Sequence, residues 1–395
     1  MAPPVVQPLP STTRQPGFAA LGGPRRRPSA AAHLSDADVA ELGKELDAIR
    51  EEVLASRGAA DAAYIRSVIK VQRIMELLGR GLLVVSVNPV AFVAGSGILG
   101  AAKILENMEI GHNVLHGQWD WMRDPDIHST TWEWDFVAPA KGWKHTHNDL
   151  HHTWTNVIGR DSDVGYDLLR MSEDQPWTKK ALFNVPLNMI LSPFFEWGID
   201  FYDLEVDRLK AGEKSREDYD ADMRDLKIKA FKQALKDYAA TPLMGVFTGS
   251  ALPALAGTFV ANTIRNVWAH AVIFCGHFPE GADTFTEDMV RRETRSDWYI
   301  RQMLGSANIS GGPLMHIMTG NLSHQIEHHL FPDIPSRRYG QIAPRVRDIC
   351  RRYQLPYTTG PLYRQVALSW KRVFQMSFPP KRTSQQEPAP KAPAG

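Results

Sequence analysis

The stretch NLSHQIEHHLFPD, residues 321–333, constrains this chain most, because it sets His324, His328 and His329 beside Glu327 and an apolar Leu330-Phe331 pair. Imidazoles buried without partners cost roughly a few kcal/mol each, so a fold that takes in this segment must give the rings a task. The same pattern recurs upstream. His112 and His116 form HNVLH, and His145, His147, His151 and His152 fall within HTHNDLHH. His270 and His277 lie in NVWAH and GHFPEG, so most of the 14 histidines sit in a few groups beside apolar runs. Residues four apart share a helical face. Each of the pairs His112/His116, His147/His151 and His324/His328 therefore aims two imidazoles at one point. An adjacent histidine, turned by about 100° on the 3.6-residue period, reaches a second point. One such motif clamps a metal, and several converging motifs hold two. The isolated His33, His128 and His316 read instead as surface or hydrogen-bonded residues.

Neutral imidazole suits iron, zinc, copper and nickel alike, so ligand type leaves the metal open. This many histidines exceeds a single-metal site, and hydrolytic dizinc sites usually bring in carboxylates. A carboxylate-type di-iron bundle needs two Glu-x-x-His pairs, and only Glu109-x-x-His112 has that spacing. The two cysteines, Cys275 and Cys350, cannot furnish an in-chain iron–sulfur cluster or an all-cysteine zinc site. They fit a reducing compartment. Residues 95–100, GSGILG, match the dinucleotide-binding pattern G-x-G-x-x-G. No βαβ alternation follows, however, and small residues equally suit close helix packing in a membrane.

Charged residues make up 23% of the chain with a net charge of +1, which argues against a nucleic-acid partner. Residues 1–33, with Arg25, Arg26 and Arg27, and residues 379–395 read as disordered tails around one folded unit, 34–378. MAPPVVQPLPSTTRQPG has no apolar core of the kind a secretory leader needs, and none is expected at this end. Ser35 and Asp38 have the spacing of a capping box ahead of an amphipathic helix. A mean hydropathy of −0.29 looks too polar for a membrane protein, but the charges are concentrated outside the apolar runs, notably in 203–237. Residues 81–102 and 238–264 carry none, and a spanning helix needs roughly 20 apolar residues. The runs 181–195 and 266–279 are shorter. Asn88-Pro89 reads as a turn between two spans, the earlier reaching back through Arg80 and Glu76. Tryptophans crowd GQWDWMRDPDIHSTTWEWDF, as at a bilayer surface. An integral membrane, all-α protein is expected, with a soluble helical protein as the alternative.

The order HNVLH, HNDLHHTWTN, NLSHQIEHHLFPD resembles the membrane fatty acid desaturase family. LENMEIGHNVLHGQWDWMRDP and RNVWAHAVIFCGHFPEG are similar to its bacterial, mycobacterial-type stearoyl-CoA 9-desaturase branch. The resemblance covers about residues 35–375. It implies an integral membrane helical bundle of about four transmembrane helices, with a cytosolic helical cap carrying the histidine boxes, in a bacterial plasma membrane. It further implies a di-iron centre that uses O2 and two electrons to place a cis double bond, at carbon 9, in a long-chain acyl-CoA. The implied iron ligands are His112, His116, His147, His151, His152, His277, His328 and His329. The ninth is either His324, four residues before His328, or Gln325, which fills the position where the family has His or Gln. His270 rivals His277, because Asn266-x-x-x-His270 mimics a pair in animal relatives, while GHFPEG favours His277. Asp149, Asp161, Asp163 and Glu327 are candidates to orient ligand imidazoles, and His145 is expected at the periphery. The chain shows neither a flavin or nicotinamide site nor the His-Pro-Gly-Gly haem motif. Electrons from NAD(P)H are therefore expected through a separate flavin and iron–sulfur oxidoreductase, with membrane lipids as the other partner. Lys141, Lys144, Arg337 and Arg338 would meet that reductase or the CoA phosphates, or anchor the cytosolic face. A lipid hydroxylase on the same scaffold and a non-catalytic metal-binding membrane protein are the competing readings.

Overall fold

The computed structural model describes residues 26–166 and 168–380. Residues 1–25 and 381–395, most of both expected tails, lie outside the described residues. Residues 26–33, assigned to the first tail by composition, are packed. Arg27 donates to the Leu34 carbonyl at 2.8 Å and to Asp297 Oδ1 at 3.0 Å, and Ala31 is buried. Composition missed this because one of the two carboxylates that receive Arg27, Asp297, lies far along the chain, the other being Asp36.

Helix α1 (Asp36–Ala55) starts at the expected capping box, with Asp38 N donating to Ser35 Oγ and Ser35 N to Asp38 Oδ2. Helices α2 (Ala59–Val84) and α3 (Pro89–Ile104) form a hairpin. Asn88 caps α3, its Oδ1 accepting from Val90 N at 2.9 Å. The expected turn at Asn88-Pro89 is therefore present. Helix α3 runs on through a π-helical turn, Leu105–His112, and a last helical turn to Leu115. After the short helices α4 (Asn184–Leu191) and α5 (Phe195–Asp203), helix α6 (Arg216–Leu235) continues as far as Gly245. The chain reverses at Gly249, φ +73°, and returns as α7 (Ala251–His277). Helix α8 (Arg295–Leu304), strand β1 (Asn308–Ser310), helices α9 (Gln325–Leu330) and α10 (Tyr339–Arg352), strand β2 (Thr359–Pro361) and helix α11 (Leu362–Met376) follow. The two strands pair in parallel, Ile309 opposite Gly360.

Both long hairpins reverse at the same end. Val87 N donates to Ser250 Oγ at 3.0 Å, and Thr248 Oγ1 donates to the Val84 carbonyl. Small residues let the helices approach closely. A Cβ on Gly79 would lie 2.8 Å from Leu99 N, and one on Gly257 would lie 2.9 Å from Ser96 Oγ. GSGILG is thus a packing surface inside α3, not a phosphate loop. The outward faces are apolar, with Val71, Leu77, Val90, Val93, Leu243, Phe247, Leu252 and Phe259 exposed. By length and composition, one run among the described residues, Pro89–Leu115, is long and apolar enough to cross a membrane. Residues 266–279 mostly belong to α7. The 181–195 run breaks into 3-10 turns around α4, with Phe183, Met189 and Ile190 exposed.

Buried charges join the hairpins to the rest of the chain. Lys103, on α3, reaches Asp237 at 2.8 Å and Asp135 at 3.2 Å. Lys236 pairs with Asp135 at 2.9 Å and Glu76 at 3.1 Å, and Arg80 with Asp237 at 2.9 Å and Glu76 at 3.0 Å. Each cation thus has two carboxylates. The two largest apolar clusters among the described residues build much of the remainder. One gathers Leu42, Leu46, Tyr299, Ile326, Leu330 and Phe331, and the other Met108, Leu115, Trp134, Trp143, Phe195 and Phe278. The tryptophans expected at a bilayer surface include two that are buried here, Trp119 and Trp134. Trp134 packs on Phe136 and Trp143, and its indole N–H donates to the Ala138 carbonyl at 2.7 Å. A large ring with one satisfied N–H fills a core as readily as an interface.

Candidate metal centre

His112 closes the π-helical turn that extends α3, and His116 follows four residues later. A second π-helical segment, Lys144–His151, carries His147 and His151 and leads into His152. Two of the three boxes therefore sit on backbone with i→i+5 bonding, which is rare overall and frequent at functional sites. The third box lies on α9, and His277 ends α7.

These elements bring the rings together in two groups. Ligand-capable nitrogens of His112, His116, His147 and His328 all lie within 4.8 Å of one another, as do those of His151, His277 and His329. His112 Nε2 and His328 Nε2 face each other at 3.3 Å. His152 lies between the groups, its ring 4.7 Å from that of His116, 4.9 Å from His328 and 4.5 Å from His329. Burial, reinforced by the neighbouring imidazoles, holds His147, His152, His328 and His329 well below the usual histidine range. They are therefore neutral, with lone pairs available. Nε2 of His116, His147, His151 and His329, both nitrogens of His152 and Nδ1 of His277 are buried without a hydrogen-bond partner. An orphaned buried polar atom costs about 1–3 kcal/mol, and so many in one place mark a site built for a ligand that accepts from lone pairs. A cavity of about 40 Å³ adjoins them. It is lined by His112, His147, His151, His277 and Gln325, and by Trp134, Phe136, Trp143 and Phe195.

The family model for fatty acid desaturases matches residues 88–361, a range that holds all three boxes and His277. The chain belongs to the fatty acid desaturase family. The desaturase is 51% identical over 352 residues to the NADPH-dependent stearoyl-CoA 9-desaturase of Mycobacterium tuberculosis, in strains CDC 1551 / Oshkosh and ATCC 25618 / H37Rv. That match covers 89% of this chain and 82% of the relative. It is 24% identical to an sn-1 linoleoyl-lipid 6-desaturase of Synechocystis sp., over 83% of this chain and 92% of that one. No solved structure matches. The enzyme is an oxidoreductase with histidine clusters suited to a metal.

Groups outside the rings hold the desaturase's imidazoles in place. His151 Nδ1 lies 3.0 Å from both oxygens of Asp161, and that carboxylate also accepts from Asn156 N at 2.7 Å. Burial alone would lower His151, but Asp161 and Asp163 push it up to about 9. Asp163 lies 3.4 Å from His151 Nδ1. His329 Nδ1 meets Gln302 Oε1 at 3.0 Å, and His328 Nδ1 meets the Tyr339 hydroxyl at 3.1 Å. Gln118 donates to that hydroxyl at 3.0 Å. Glu109, wholly buried, accepts from Tyr64, Asn321 and Ser336, each at 2.8 Å, and so ties the first box to the third. Sequence reasoning missed Gln302, Tyr339 and Gln118. Gln302 and Tyr339 come from other elements with no local spacing to the boxes, and Gln118 follows the first box by two residues but acts on the third.

Other expected residues lie elsewhere. His324 ends a 3-10 turn before α9 begins, with φ −106° and ψ 54°, so helical four-residue alignment with His328 fails. Its ring stacks on His316 at 4.6 Å, outside both groups. Gln325, the first residue of α9, puts its side-chain nitrogen 3.0 Å from His277 Nε2. His270 meets Asn188 at 2.9 Å and stacks on Phe274 at 4.0 Å, while Asn266 donates to the Pro193 carbonyl. His145 pairs with Asp149 and Glu205, whose hydrogen bonds push it up to about 9. Glu327 accepts from Asn308 at 2.9 Å and Tyr357 at 2.8 Å, anchoring α9 to β1. Lys144 donates to the Ser129 carbonyl and Arg338 pairs with Asp61, with Arg337 beside it, so these cations have structural partners. Lys141 lines a separate surface pocket.

Proposed function

We propose that this desaturase is an integral membrane enzyme that places a cis double bond, at carbon 9, in a saturated long-chain acyl-CoA. Two irons, O2 and electrons from NAD(P)H, delivered by a separate flavin and iron–sulfur oxidoreductase, complete the reaction. The observation that carries the reading is the set of orphaned imidazole nitrogens converging in two groups beside an aromatic cavity. The substrate class and bond position follow the mycobacterial relative's name.

Imidazole donors fit iron without selecting it, and the family supplies that choice. His112, His116, His147 and His328 would hold one ion and His151, His277 and His329 the other, with His152 adjoining both. Gln325, beside His277, is the better-placed ninth group than His324. The iron pair supplies the oxidising power that an unactivated methylene requires. The chain supplies position. Asp161, Gln302 and Tyr339 fix ring tautomers and orientation, and Trp134, Phe136, Trp143 and Phe195 exclude water and line the path of the acyl chain.

Four spans, formed by α2, α3, the continuation of α6 and α7, account for the apolar outward faces of both hairpins, since soluble proteins rarely expose contiguous apolar patches of such extent. The boxes then lie at the end away from the Val87–Ser250 turn, and the positive-inside rule supports a cytoplasmic position for that cap at the plasma membrane.

The test is gas chromatography–mass spectrometry of fatty acids from a host expressing this chain with a matching reductase, beside a His151→Ala control. Loss of two hydrogens at carbon 9 is expected. A gained oxygen atom would replace this reading with hydroxylation, and bound metal without any product would leave only a metal-binding protein. Asp161→Asn is expected to weaken iron binding by about 10- to 100-fold in chelator competition, with the thermal melt unchanged. Unaltered iron affinity would remove Asp161 from this role.

A further inference from the structure

A second cavity, of about 580 Å³, opens beside the aromatic one. Its walls mix charged side chains, Arg160, Arg208, Lys210 and Glu213 among them, with apolar ones such as Leu168 and Phe201. The two spaces share two lining residues, Tyr166 and Tyr202. Their rings meet edge to face at 5.9 Å, and Tyr166 also packs on Phe195 at 5.6 Å. Tyr166 has φ +54°, an unusual conformation for a bulky residue. The turn before it is tightly wound, because a Cβ on Gly165, φ +84°, would fall 2.1 Å from the Leu169 carbonyl oxygen. Such backbone persists where the surroundings over-determine it and clusters at functional sites. Neither hydroxyl bonds to a described residue, and neither is a sealed, orphaned atom, so both are open to the cavities they line. Burial, with the nearby carboxylates Asp161, Asp163 and Asp203, holds both phenols well above their ordinary range, so both remain donors.

We propose that Tyr166 and Tyr202 form the neck that divides the substrate's polar end from its acyl chain, donating to the thioester carbonyl and so fixing which carbon reaches the histidine groups. The proposal rests on the acyl-CoA reading above. A groove with cationic side chains on its wall, two open hydroxyls and an aromatic cavity occur in the order that the headgroup, carbonyl and methylene chain of such a substrate require. The inner space of about 40 Å³ is close to one water's share of liquid volume. Admission of an acyl chain therefore moves the neck rings apart, which frees their hydroxyls to turn toward the carbonyl. The rings act as positioning residues and take no part in hydrogen removal.

The test uses the purified full chain in detergent, with stearoyl-CoA as probe. Binding is read from quenching of tryptophan fluorescence, and double-bond position from mass spectrometry of the product's disulfide adducts. The variant Tyr166→Phe/Tyr202→Phe keeps both rings and removes only the hydroxyls. Its affinity is expected to fall about tenfold, and its product to spread over positions flanking that of the unmodified enzyme, with iron content and melting temperature unchanged. Tyr202→Ala, which widens the neck, is expected to broaden the positions further. Unchanged affinity and a single unchanged position in the double phenylalanine variant would overturn the assignment, as would loss of activity without any shift in position. Failure of the unmodified chain to bind stearoyl-CoA would instead remove the acyl-CoA reading, and the neck with it.

Discussion

His328→Ala is expected to abolish product formation, a fall of roughly a thousandfold or more, about 4 kcal/mol in the barrier, and to cut bound iron by about half. His328 is fully buried, and its Nε2 lies 3.3 Å from that of His112 in the group completed by His116 and His147. Removing one ring takes a donor from a site whose remaining rings cannot close the gap, because each is held by its own backbone segment. The fold should survive. Tyr339, which loses His328 as a partner, still donates to the Phe331 carbonyl at 3.2 Å and accepts from Gln118. Iron quantitation on purified protein, product analysis and a thermal melt together check the prediction. Tyr339→Phe is the milder companion, expected to lower iron affinity by about tenfold through ring orientation alone. A His328→Ala protein that kept full iron and formed product would end the assignment of the first ion's ligands.

Much of this site was legible because it is written in local spacing. Each HxxxH repeat fixes two rings on one side of a helical segment, so the convergence of HNVLH and HNDLHH survives even though their backbone is π-helical. Spacing cannot distinguish the two helix types over so few residues. It failed at His324, where the helix begins one residue too late and alignment passes to Gln325. The hairpin turn at Asn88-Pro89 and the Ser35 cap were readable because turns and caps are chosen by side chains a few residues away. Tertiary partners carry no such signal. Gln302 reaches His329 from α8 and Tyr339 reaches His328 from α10, and nothing near either residue announces the encounter. The tryptophan-rich segment misled for a related reason. Ring composition is the same for an interfacial belt and for a cavity wall, and only the buried surroundings of Trp119 and Trp134 decide between them.

The buried ion cluster yields the second large effect. Lys103→Ala is expected to destabilise the desaturase by about 3–5 kcal/mol, because a partner removed from a buried pair leaves an uncompensated charge. Lys103 has no exposed surface, and its ammonium is shared by Asp135 and Asp237. Both carboxylates are also reached by other cations, Asp135 by Lys236 and Asp237 by Arg80, which limits the loss but leaves one negative charge in excess. Restoring that balance should recover much of it. Lys103→Met with Asp237→Asn substitutes a shape-matched pair without net charge, and such replacements of buried pairs are often close to neutral. Thermal melting in detergent compares the variants, with the single one expected to melt well below the double. The consequence reaches the metal site, since Lys103 lies on α3 two residues before the π-helical segment that carries His112. Loosening the helix at Lys103 frees the first box to drift, so iron should be lost at temperatures below the global melt. If the single variant melted with the unmodified protein and retained iron to the same temperature, the cluster would be a tolerated passenger of the helix junction and not what holds the first box in register.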